Sequence, residues 1–205
     1  MRINDFKIRF LFMIFVLIVA GMACQKNNGD VPGEMTFRIN DALLGDPIML
    51  DSLGFRLRPP MGWETLPSDL LQSLNDQMRG NQSERQFRFR PIQFNMNQKE
   101  ESLLSISLVE FTLDANRIDF NTAYRMSLAQ KFPKADIKQT LFYKDGIEFN
   151  QIFIAAMGRT MIKLLVRNAK GQLLQLDYMV PTPLYSQLVE SIESSIGSIQ
   201  KVDSN

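Results

Sequence analysis

Residues 137 to 180 narrow the possible folds more than any other stretch of the chain. Ile137 to Tyr143 and Ile147 to Ala156 are extended runs joined at Lys144-Asp145-Gly146. Asp-Gly between two such runs is a strong hairpin signal. Gly158-Arg159 then turns into Thr160 to Arg167, and Asn168-Ala169-Lys170-Gly171 into Leu173 to Val180. Four strands with short turns make an antiparallel meander. In the third, Ile162, Leu164 and Val166 line one face while Lys163 and Arg167 line the other. The second is apolar on both faces across Ile152-Phe153-Ile154-Ala155-Ala156, which predicts a central strand covered on both sides.

A helix must close this sheet. Thr182 is placed to cap it and Pro183 to open it. Leu184, Leu188, Ile192, Ile196 and Ile199 recur as one stripe, widened by Val189. Glu190, Glu193 and the serines are expected to face out. Upstream, Leu53 to Arg58 alternates as a half-buried strand that Pro59-Pro60 stops, and Met61-Gly62-Trp63 turns the chain. Met35 to Leu50 holds either a short edge strand or irregular chain. Ser68 to Gly80 reads as a helix with Leu70, Leu71, Leu74 and Met78 on one face. Arg85 to Asn97 alternates aromatic and basic residues until Pro91 forces an edge or a bulge. Leu103 to Leu113 is a strand with Leu104, Ile106 and Leu108 on one face and Val109, Phe111 and Leu113 out of phase. A helix follows, capped by Asn121, with Tyr124 and Leu128 inward and Phe132-Pro133 closing it.

The N-terminus carries different information. Arg2, Lys7 and Arg9 lead into an apolar run from Phe10, which ends in Gly21-Met22-Ala23-Cys24. A basic lead, an apolar run and small residues before a cut site make a secretory signal. The run falls short of the roughly 20 residues that a spanning helix needs. With Cys24 as the one cysteine of the chain, the stretch resembles a bacterial lipoprotein signal, in which that cysteine is lipidated. Gly21 stands where such signals usually carry Leu, and Gly21 with Ala23 also fits ordinary signal cleavage, so three outcomes are open: lipidation, plain secretion and an uncleaved anchor. The expected organisation is a signal over residues 1–23, a flexible tether over 24–36 and one domain over 37–205. Gln25 after the cysteine resembles the outer-membrane sorting pattern, which implies a lipid anchor in the outer membrane facing the periplasm of a bacterial envelope.

Composition removes several functions. There is no histidine, so Ser-His and Cys-His pairs and imidazole zinc sites cannot be built from this chain. A single cysteine excludes an internal disulfide. The charge is nearly balanced, with 23 basic and 22 acidic residues, which argues against a nucleic-acid partner. The glycines show neither a phosphate loop nor a dinucleotide fingerprint. Glu100-Glu101 and the Asp114/Asp119 pair could serve as general acid and base or bind calcium, but the Asp114–Asp119 segment has few oxygens and no turn glycine, and both groupings read as solvated loops. The 12 methionines form no metal-binding repeat and read as core filler. Carboxylate or Ser-Lys chemistry stays open but has no motif behind it, and no catalytic residue, cofactor or metal site is expected.

Three residues remain as candidate ligand or partner contacts. Arg88 and Arg90 present a basic face between Phe87 and Phe89, read either as a binding surface or as the solvated side of an amphipathic strand. Trp63, after Pro-Pro-Met-Gly, either stacks on a ligand at a sheet end or closes the core.

Two landmarks carry a resemblance. Gly54-Phe55-Arg56-Leu57-Arg58-Pro59-Pro60-Met61-Gly62-Trp63 and Tyr178-Met179-Val180-Pro181 before the Ser-Ile-rich helix together resemble PsbP-like and DcrB-like proteins, over about Leu53 to Val202. The resemblance implies an α+β fold: an α/β/α sandwich around an antiparallel sheet with a C-terminal four-strand meander, flanked by helices. It also implies a non-enzymatic, membrane-tethered binding or assembly domain with a protein partner. The alternative is a periplasmic carrier or sensor of a small apolar or lipid ligand.

Overall fold

The computed structural model describes residues 32–80, 87–111, 119–168 and 170–202. Glu34–Asn205 is one compact unit. The expected signal, Cys24 and most of the expected tether lie outside the described residues, as does Leu113.

The meander forms as its alternation and turns predict. β7 (Asp136–Lys144), β8 (Ile147–Ala156), β9 (Arg159–Arg167) and β10 (Leu173–Pro181) pair in succession, each antiparallel. The β7–β8 turn places both Asp145 and Gly146 at positive φ, 50° and 68°, the conformation that an Asp-Gly hairpin favours. β10 then pairs with β6 (Ser102–Phe111), β6 with β5 (Phe87–Asn97), and β5 with β4 (Glu64–Thr65). With β1 (Gly33–Glu34) the sheet has eight strands, in the order β1-β7-β8-β9-β10-β6-β5-β4. The β5–β6 register shifts between Pro91 and Gln93, so the bulge falls at the proline, whose nitrogen cannot serve the ladder. A smaller sheet, β11-β3-β2, joins Gln200–Lys201 to Phe55–Leu57 and Ile48–Leu50.

Each face of the large sheet is covered, which is what makes the fold a sandwich. One face carries Leu104, Ile106, Leu108, Phe149, Leu164, Leu176 and Tyr178, packed against Ile192, Ile196 and Ile199 of the C-terminal segment and against Phe55, Leu57 and Trp63. The other carries Val109, Ile152, Ile154, Met161 and Leu165 beneath Ala123, Tyr124 and Leu128. Val109 and Phe111 of β6 are out of phase with Leu104 and Leu108 because they belong to this second face. Among the described residues the α-helices are α1 (Ser68–Gly80), α2 (Phe120–Lys131) and α3 (Tyr185–Gly197). The architecture is the mixed α+β arrangement expected, an antiparallel sheet with a C-terminal meander and flanking helices.

Four local expectations need correction. Asp119, not Asn121, caps α2, its side chain accepting from Thr122 N–H. Asn121 instead accepts from Asn150 Nδ2 at 2.7 Å. Thr182 and Pro183 form a short 3-10 turn before α3, with no side-chain cap, and Thr160 Oγ1 donates to Thr182 Oγ1. Leu53 lies in a 3-10 turn, so the strand over this stretch is only Phe55–Leu57. The serines of α3 do not all face out: Ser194 and Ser195 are fully buried. Ser194 Oγ accepts from Asn40 N–H at 3.1 Å and Ser195 Oγ donates to the Arg58 carbonyl at 2.6 Å, because the N-terminal segment packs over the flank of α3 that the sheet leaves bare.

Candidate functional site

The most organised surface feature lies at the sheet end formed by the β9–β10 turn. Asn168 builds that turn. Its Oδ1 accepts from the backbone N–H groups of Lys170 and Gln172 at 3.0 and 2.8 Å, and its Nδ2 donates to Gln172 Oε1 at 2.8 Å. Gly171 sits at φ 74°, a conformation that costs glycine nothing. Arg167 Nη1 donates back to the Gly171 carbonyl at 3.1 Å, which fixes an exposed guanidinium across the turn.

Two clefts flank this arginine. One, of about 400 Å³, runs between the start of α2 and the β8–β9 ends, with Asp119, Phe120, Glu148, Arg167 and Lys201 around it. The other, of about 290 Å³, lies toward β5 and β6, with Arg90, Glu110, Phe111, Phe120, Arg167 and Gln172. Phe120, Arg167 and Leu173 line both. The two clefts mix apolar side chains, Phe120 and Leu173, with guanidinium, ammonium and carboxylate groups. Phe120 is held in an aromatic group, edge-on to Phe87 at 5.5 Å and stacked with Tyr124 at 5.7 Å.

Deeper under α2 lies a polar cluster on the same sheet face. Lys163, on the face of β9 opposite Ile162, Leu164 and Val166 as expected, is 7% exposed and forms an ion pair with Asp177 directly across the strand pair. α2 and its apolar neighbours cover that face, so the lysine needs the carboxylate. The second oxygen of Asp177, Oδ1, is buried without a hydrogen-bond partner among the described residues. Beside it Tyr124 Oη donates to Gln175 Oε1 at 2.5 Å. Burial first, and the Asp177 charge second, raise the Tyr124 pKa above its ordinary value, so the phenol remains a donor. Among the described residues no three Cys, Asp or Glu side chains converge as metal ligands.

The candidate residues separate in space. Arg90 is exposed and lines the second cleft; Arg88 is exposed opposite Glu110 on the neighbouring strand. Trp63 is 4% exposed and packs 6.3 Å from Tyr178, which is the core-closing position of its two readings. Arg167 and the Asn168 turn were missed as a site, although Asn-x-x-Gly between two strands is a recognisable turn signal. The Lys163–Asp177 pair was legible too, since a hairpin centred on residues 168–172 brings these two positions opposite each other.

No family model matches the chain, and neither does any curated protein. Among solved structures, that of the cyanobacterial PsbP (CyanoP) from Synechocystis sp. PCC 6803, determined in solution, is similar. It has a TM-score of 0.51 at 10% identity, over 76% of this chain and 91% of that one. At such identity the likeness concerns architecture alone, and on that ground, together with its covered antiparallel sheet, the chain has a PsbP-like fold.

Proposed function

We propose that this chain is a non-enzymatic envelope lipoprotein, anchored through a lipid on Cys24 in the outer membrane and facing the periplasm, whose domain binds a protein partner. The PsbP-like sandwich is the observation that carries the reading. Both faces of its sheet are occupied by the chain's own helices, and its buried polar side chains Ser194, Ser195, Lys163 and Tyr124 are engaged in internal bonds. Recognition then falls to the sheet end, where Arg90, Arg167 and Phe120 combine charge with apolar surface. The N-terminal signal supplies the address, and Cys24 is its only thiol.

Metabolic labelling with a palmitate analogue tests the anchor. The wild-type chain takes up label and sediments with membranes, whereas Cys24→Ser is unlabelled. Processing that proceeds unchanged under globomycin overturns lipidation. For the partner, a photo-crosslinking amino acid placed at Gln172 in cells yields a discrete protein adduct that Arg167→Glu removes. A chain that gives no adduct from Gln172 overturns that site.

A further inference from the structure

The two edges of the large sheet are treated differently. At one, β5 carries Pro91 and a bulge, the exposed cations Arg88 and Arg90, and the short cover of β4. These are standard devices against edge-to-edge pairing. At the other, β7 runs for nine residues with unbroken register against β8 and contains no proline. Its outer neighbour is the two-residue β1.

The direction of the β7 backbone groups follows from one bond. Met35 N–H donates to the Tyr143 carbonyl at 2.7 Å, so Tyr143 turns its backbone away from β8. In an antiparallel strand a residue's N–H and C=O point to the same side and alternate along the chain. Leu141, Gln139 and Ile137 therefore point outward as well. Among the described residues β1 occupies the edge near Tyr143 and the strand begins at Asp136, which leaves a window over residues 137–141 whose centre is Gln139.

The side chains of that window are symmetric about the same residue: Ile137-Lys138-Gln139-Thr140-Leu141. We propose that the occupant of this edge is a second copy of the chain, with the β7 strands antiparallel across a two-fold axis at Gln139. Ile137 of each copy then lies opposite Leu141 of the other, and Lys138 opposite Thr140. The three outward residues on each strand exchange their N–H and C=O groups, and the two large sheets become continuous. Isologous pairing requires such self-complementarity. Leu141, 36% exposed, gains an apolar neighbour. Lys138 is paired to its own Asp136 at 3.3 Å, so the copies do not oppose bare cations. The inference does not depend on Cys24 or on the sheet-end clefts.

Cysteine crosslinking of the full chain in intact cells tests the axis. A hydrogen-bonded antiparallel pair holds its Cα atoms about 5.5 Å apart, within disulfide reach, whereas positions two residues out of register exceed roughly 7 Å. Gln139→Cys is expected to give a major disulfide-linked dimer, while Lys138→Cys and the wild-type chain give only background. In sedimentation of the purified full chain, the wild type associates with rising concentration. Gln139→Pro removes an outward N–H together with the side-chain bond from Nε2 to Asn150 Oδ1 at 3.0 Å and remains monomeric with unchanged far-UV circular dichroism, whereas Gln139→Ala, which loses the side-chain bond alone, still associates. A wild type that is monomeric at every concentration, a dimer that survives Gln139→Pro, or equal crosslinking from Lys138→Cys each overturns the proposal.

Discussion

Tyr178 and Ser195 meet hydroxyl to hydroxyl at 2.9 Å between β10 and α3. Tyr178 is 1% exposed and Ser195 fully buried. Ser195 Oγ also donates to the Arg58 carbonyl, so one hydroxyl ties together the sheet, the helix and the strand that precedes Pro59-Pro60. Ser195→Ala leaves the buried Tyr178 hydroxyl without its partner and the Arg58 carbonyl with only the longer bond from Ser198 Oγ at 3.4 Å, and is expected to cost about 1–3 kcal/mol. Tyr178→Phe leaves the Arg58 bond intact and is expected to cost less, about 1 kcal/mol. Urea unfolding of the two variants measures the difference, and the opposite order would contradict this geometry.

Alkaline pH should unfold the domain through its buried phenols. Burial raises the pKa values of both Tyr124 and Tyr178 above the ordinary 10.0. A group whose folded pKa is raised contributes stability that is complete below its unfolded pKa and is lost as pH climbs toward the folded value. Stability should therefore hold up to about pH 9 and fall progressively once pH exceeds the ordinary tyrosine value. Tyrosinate absorbance and circular dichroism recorded on one titration check this. The two buried tyrosines are expected to ionise only together with loss of structure.

The Lys163–Asp177 pair offers a separate test. Removing the lysine alone strands a carboxylate beneath α2, which for buried pairs costs about 3–5 kcal/mol. Lys163→Met should thus be severely destabilising. The double variant Lys163→Met/Asp177→Leu should regain most of the loss, since apolar replacement of a whole buried pair is often neutral. Denaturation of the complete mutant cycle provides the coupling energy. Additive effects would mean that the pair does not act as a unit.

Ile192 is the centre of the α3 contact, with no exposed surface. Ile192→Ala is expected to lower stability by about 2–5 kcal/mol, and Ile192→Asp to prevent folding. Cooperative melting of a soluble Ile192→Asp protein would show that α3 does not dock.

What the sequence revealed follows from how local each signal is. β7 to β10 and the Ile192–Ile196–Ile199 stripe were legible because short turns set the register and the apolar period is unambiguous. The buried state of Ser194 and Ser195 was not, because it depends on Asn40 and Arg58 returning from far away in the chain. A Cβ on Gly197 would stand 2.7 Å from Phe37 Cβ, yet no periodicity links these two positions. The small sheet was hidden for the same reason: its strands are two or three residues long and one pairing joins Lys201 to Phe55. Of the candidate site, Arg90 was found because strand alternation exposes it. The companion role of Arg167 depends on a cleft that only the packed sheet end creates.

That closing pair also sets an order of events. Lys201 pairs with Phe55, and Val202 N–H donates to the Gly54 carbonyl at 3.0 Å. A chain synthesised or threaded from its N-terminus holds the residues of β3 long before their last partners arrive. Loop closure across so many residues is slow and comes late. The first third of the domain therefore stays unfinished until residues 200–202 emerge, and removal of those residues acts first on a strand far from them in the sequence.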